Sequence, residues 1–463
     1  MGTQKKQYLS VMSLALITVA ALFGLGGLTE NAVFGFSAIF FYGIAAVLFF
    51  IPAALISAFL ASRFPTGGVN VWVSNAFGTK WGLLAIWVQW LQSVALYVTV
   101  LSFTAATIAF AFNPALANND FFIVGIILVA YWGVTLLNFR GMSLSSTVST
   151  YGVAIGTILP GALLIILALA WVLGGNPIQF QVSFEAAIPD FQGMNSLALA
   201  IGGVLLYAGI EMSAAHITRL RNPSRDYPRA IMIAAIISVV LFVFGSLAIA
   251  AVVPEKSLSL VGGVMEAFST ILGHYSFHWA VPVVSFLIVL GTLAQINTWI
   301  AGPCQGVLKV AKEGSLPPFF QKVNKHNMPT NILFLQGAIV TVLGLVFIAM
   351  PDPSDSFSFL TAMTTQIYLV MYMLMFLAGI FLAGSKAGKN AFSIPGGKTG
   401  VWILGGIGFL TSLAAIAIGF FPPSQEHAVS PELYTGLLVL GMAVVVVVPF
   451  LIYHFRKRSW IAG

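Results

Sequence analysis

The sequence predicts an all-α integral membrane protein of twelve transmembrane helices, and three observations carry the prediction. Charged residues make up 7% of the chain and hydrophobic ones 59%, whereas a soluble domain carries about 25% charged residues. Apolar stretches long enough to span a bilayer, roughly 20 residues each, fall near 9–35, 37–62, 81–112, 121–138, 149–174, 196–219, 229–253, 279–310, 330–350, 356–384, 401–421 and 432–454. Finally, the basic residues keep step with these stretches. With the N-terminus in the cytoplasm, all of the 20 Lys and Arg except Lys256 fall in inner segments, as the positive-inside rule requires. A missed or invented span would reverse every later loop and erase that split.

Taken in order, the first span follows Lys5 and Lys6 with no small-residue cleavage site, so it reads as an uncleaved anchor. Gly24, Leu25, Gly26 and Gly27 interrupt it. The second span ends at Arg63 in a tight inner turn. That turn lacks the Gly-Lys-Ser/Thr of a phosphate-binding loop, which argues against an ATP-driven pump. The third to fifth spans complete a first half, residues 1–174.

The sixth span opens a second half, 175–384, and carries Tyr207, Ala208, Gly209, Ile210 and Glu211 near its middle. Glycine is a poor helix residue, and a carboxylate at bilayer depth is costly and tends to be functional. Each half thus begins with an interrupted helix. Five is an odd number, so the second half must be inserted upside down, the inverted-repeat plan of many secondary transporters. The seventh span begins after Pro228, and 385–463 hold the last two spans with a short basic C-terminus.

The same residues exclude other functions. The net charge of +7 reports topology, because no basic run is interleaved with aromatics and no nucleic-acid motif occurs. Cys304 stands alone, so no internal disulfide can form, and it reads as a small buried residue. No metal-ligand spacing, catalytic triad pattern or cofactor motif is present, which leaves the lipid bilayer and a small solute as partners.

A zwitterionic solute would bring an ammonium and a carboxylate that must be solvated once water is stripped away. Broken helices offer free N–H groups with positive dipole to the carboxylate and free carbonyls to the ammonium. Residues 24–27 and 208–210 are the candidates; the alternative is that these glycines only let helices pack closely. No Lys or Arg falls inside a predicted span except at its very end, so Glu211 has no obvious cation partner. It is therefore the candidate for proton coupling, the alternative being a neutral acid fixing helix packing. His216 reads as a packing or vestibule residue, and Glu30 as a solvated acid near the outer end of the first span.

Several stretches resemble a known family. Residues 64–73 (FPTGGVNVWV) and 222–230 (NPSRDYPRA) are similar to signatures of the amino acid–polyamine–organocation (APC) transporters. Residues 209–216 (GIEMSAAH), 393–398 (SIPGGK) and 420–423 (FFPP) resemble the glutamate/γ-aminobutyrate antiporter subfamily. The resemblance runs from about residue 10 to 455. It implies a LeuT-like fold, five plus five inverted helices and two more, in which the first and sixth helices unwind around an amino acid. It also implies exchange of an external amino acid for an internal product, and membrane localisation with both termini inside, as in a bacterial inner membrane.

Four positions carry over from the family: Glu211, the pair Tyr368 and Tyr372, and Trp299. The tyrosines are spaced i, i+4 and share a helix face, and Gln295 repeats that spacing with Trp299. There are departures too. Gln295 stands where the proton-linked antiporter has a second glutamate, Gly26 where a tyrosine is expected, and Arg219 where the loop usually has an acid. The chain stops at Gly463, short of the basic tail that can plug the inner vestibule of the acid-resistance member. A proton-coupled symporter or exchanger of neutral amino acids is thus the rival expectation.

Overall fold

The computed structural model describes residues 8–65, 67–140, 151–189, 204, 206–350, 352–385, 391–422 and 430–461. Regular structure there consists of helices, together with two isolated β-bridges. Helix α1 (Val11–Leu22) meets the segment Leu25–Ala32, whose latter part is α2 (Leu28–Ala32), at a bend of 52°. Ten further helices among the described residues are long and apolar enough to cross a membrane. They are α3 (Gly35–Arg63), α5 (Thr79–Phe112), α6 (Asp120–Asn138), α7 (Tyr151–Leu173), α8 (Pro223–Val252), α10 (Ala280–Lys312), α11 (Thr330–Ala349), α12 (Pro353–Gly384), α13 (Gly397–Ile418) and α14 (Pro431–His454). Two shorter ones, α4 (Val69–Phe77) and α9 (Gly263–His274), lie between spans.

Every expected span but the sixth finds a counterpart in this set. Of the sixth, 196–203 and 205 lie outside the described residues, as do Thr66, Asp190, Pro423 and the lysines at 5, 6, 386 and 389. The remainder is a turn through residues 206–209 followed by a 3₁₀ helix, Ile210–Arg219.

Helix α5 runs through the centre of the bundle, packed against α10 and α12. Its interior hydroxyls bond within their own helix, as Thr104 does to the Val100 carbonyl at 2.8 Å, which removes the cost of burying them. Small residues set the closest approaches. A Cβ on Gly291 of α10 would stand 2.3 Å from the Gly156 carbonyl carbon of α7, so the two backbones touch there. At the periphery, α14 turns Leu433, Leu440 and Leu451 outward.

Contacts at the helix ends sort the loops into two groups. At one end Arg63 Nη1 donates to the Phe392 carbonyl (2.8 Å), Asn324 Nδ2 to that of Phe139 (2.8 Å), Gln321 Nε2 to that of Trp460 (2.5 Å), and the Leu9 N–H to that of Arg219 (2.9 Å). At the other, the Gln179 N–H meets the Ala251 carbonyl (3.1 Å) and Thr29 Oγ1 that of Leu260 (2.7 Å). The first group is rich in Arg and Lys, the second poor in them.

Candidate functional site

A break in the first span lies against a turn at Gly209. At the first, Phe23 and Gly24 leave helical geometry (φ −82°, ψ 109° and φ −118°, ψ 128°) before the 3₁₀ turn Leu25–Gly27. The glycines there are demanded by space. A Cβ on Gly26 would lie 2.8 Å from Phe103 of α5, and one on Gly27 would lie 2.2 Å from Leu206. At the second, Gly209 sits at φ 114°, a left-handed conformation that side chains other than hydrogen resist.

A broken helix frees main-chain groups, and side chains of α10 and α12 already satisfy two of them. Trp299 Nε1 donates to the Ala21 carbonyl at 3.2 Å, and the Gly209 N–H donates to Tyr372 Oη at 2.6 Å. Trp299 also walls Gly209, whose absent Cβ would meet the indole at 3.2 Å. The aromatic residues therefore brace the breaks.

Glu211, 2% exposed, lies one residue past Gly209 and Ile210 on the 3₁₀ helix. Its Oε1 accepts from Tyr368 Oη (2.5 Å) and Gln89 Nε2 (2.9 Å), and its Oε2 accepts from Tyr372 Oη. These are three neutral donors and no cation, the kind of shell an ionised carboxylate needs away from water. The i, i+4 tyrosine pair thus meets the acid as one unit. Gln89 is a partner that sequence reasoning missed; its signal was an amide, with Gln92, in a predominantly apolar span.

Beside this cluster lies a cavity of about 80 Å³, room for roughly half a dozen waters and so for a small polar solute. Of the twelve predicted site residues, Gly24, Leu25, Gly26, Gly27, Ala208, Gln295, Trp299 and Tyr368 line it. Gly209, Glu211 and Tyr372 stand behind Tyr368, outside the wall. Tyr207 turns the other way, stacking on Phe50 with ring centres 4.6 Å apart and donating to the Tyr42 carbonyl at 3.4 Å. His216 is half-buried and does not reach the cavity.

The structure adds Gln92, Thr99, Thr292, Thr361 and Glu30 to the lining. For Glu30 it corrects the sequence reading of a solvated acid, because the residue is 4% exposed. The cause is the bend, which carries α2 inward. Thr29 Oγ1 is tied to the Leu260 carbonyl and Ser246 Oγ to that of Leu28, both at 2.7 Å, and the covering loop shuts Glu30 off from solvent.

A bundle of membrane-crossing helices wrapped round a small internal cavity, with a bent span at its wall, defines a multi-pass membrane protein with room for a small solute. The profile of the amino acid permease family matches residues 9–447. The chain belongs to that family, within the APC transporters. It is 40% identical to an uncharacterized transporter of Legionella pneumophila over 98% of this chain and 97% of the relative. It is 34% identical to a glutamate/gamma-aminobutyrate antiporter of Lactococcus lactis over 91% of this chain and 85% of the relative. A cadaverine/lysine antiporter of Escherichia coli is 24% identical over 69% and 70% of the two chains. All three are named transporters, and the two antiporters are named for small amino acids and amines.

Proposed function

We propose that the chain is a secondary transporter that exchanges an external amino acid, glutamate-like, for an internal amino acid or amine product, γ-aminobutyrate-like, by alternating access. The observation that carries this reading is the cavity beside the bend of the first span, largely apolar but set with amides and hydroxyls. A zwitterion there meets the Gln92 and Gln295 amides, the hydroxyls of Thr99, Thr292 and Thr361, and the Trp299 and Tyr368 rings. Glu211 fixes Tyr368 at the cavity wall and, as the acid nearest the second break, is the candidate for proton coupling. The relatives' named activities support antiport.

The cycle runs on twelve spans, as two inverted halves of five (1–174 and 175–384) and two added helices (385–463). Gln179 lies at the Ala251 end of α8, and Arg219 precedes its opposite end. The chain from 180 to 219 therefore starts and finishes on opposite faces, which supports a sixth crossing. The Arg- and Lys-rich end supports cytoplasmic termini in a cell membrane.

Counterflow in proteoliposomes tests the reading. Uptake of labelled glutamate or γ-aminobutyrate should require unlabelled amino acid inside. Uptake that needs no internal substrate but follows a pH gradient would replace exchange with proton symport, the reading that Gln295 in place of a second acid favours. No amino acid uptake under either condition would end both.

A further inference from the structure

We propose that Glu30 is the ammonium-binding residue of the central cavity, so that the ligands of this cavity are protonated primary amines. The inference deepens the transport reading and rests on it for the cavity's role. Three observations carry it. Glu30 is 4% exposed and lines the cavity, with its Oε2 buried and without a protein partner. Thr361 of α12 presents a hydroxyl on the wall of the same cavity. No Lys, Arg or His lines the cavity, and no second acid does. A carboxylate withdrawn from water is stabilised by a cation or by several donors, and among the described residues the wall leaves Glu30 Oε2 with neither.

The neighbouring Gln92 strengthens the assignment. It is fully buried at the cavity wall, with both its amide oxygen and its amide nitrogen unpartnered. An amine bound at Glu30 Oε2 has hydrogens left for Gln92 Oε1, while Gln92 Nε2 is a donor for a carboxylate on the same solute. Glu211 is spared this duty because its two oxygens already receive three donors. Glu211 and Glu30 therefore divide the work: one braces the turn at Gly209, and the other meets the solute.

Ligand-induced thermal stabilisation of the purified full chain tests this apart from transport. The probes are γ-aminobutyrate, glutamate, propylamine and the amine-free glutarate. The wild type should be stabilised by the first three and not by glutarate. Glu30→Gln, which keeps shape and removes charge, should weaken the response to all three amines at least tenfold in concentration. Thr361→Val, which keeps the charge and removes a hydroxyl from the same wall, should weaken it several-fold and serves if the first variant does not fold. Equal stabilisation by glutarate, no response to any amine, or variants that keep wild-type amine affinity would overturn the assignment. Normal amine binding with no counterflow would leave Glu30 in place and end the transport reading instead.

Discussion

Three hydrogen-bond donors and one carboxylate make Glu211 a junction at the scale of single residues. Replacing it with glutamine puts an amide nitrogen where one oxygen accepts, so at least one of Tyr368, Tyr372 or Gln89 loses its acceptor. A buried donor left unpaired costs about 1–3 kcal/mol. Glu211→Gln should therefore lower substrate affinity roughly 5- to 100-fold by loosening Tyr368, measured by titration of counterflow rates. Wild-type affinity together with a lowered melting temperature would reduce Glu211 to a packing residue. The acid, the tyrosine pair and Trp299 were legible because polar groups are conspicuous in apolar helices and i, i+4 spacing fixes their common face. Glu30 was misread for a physical reason. Its position near a span's end implies water only if the helix is straight, and the 52° bend carries α2 beneath a covering loop.

At the scale of elements, glycines do two different jobs that look alike in sequence. Gly209 permits a left-handed turn, whereas Gly26, Gly27, Gly156 and Gly291 make room for neighbours. The interruptions themselves could be read from glycine spacing. Which neighbour fills the space, such as Phe103 against Gly26, depends on tertiary packing that no local pattern encodes. The contact of Gly291 with the Gly156 backbone yields a direct prediction. Gly291→Val must part α10 from α7 or distort both, and overpacking of this kind costs about 1–3 kcal/mol. Because α10 carries Gln295 and Trp299, the loss should appear as a lowered melting temperature together with reduced exchange. Unchanged stability would mean that the helices separate freely at that point.

For the whole molecule, the apolar spans were the most legible property, since lipid makes apolar length do most of the work, and loop charge predicts which way they face. The prediction can be checked with thiols because the native Cys304 is fully buried and should give little background. Ser257→Cys, exposed beside Lys256, should react with an impermeant maleimide on intact cells, and Lys457→Cys only after the membrane is opened. The reverse pattern would invert the assigned topology. One feature of the resting cavity bears on traffic through it. To swing back empty, the protein must carry the bare Oε2 of Glu30 through a sealed, water-poor intermediate, and the toll falls on the return stroke alone. If Glu30 holds the solute, a loaded passage should be quick and an unladen one slow, the behaviour of a turnstile that moves only when someone is standing in it.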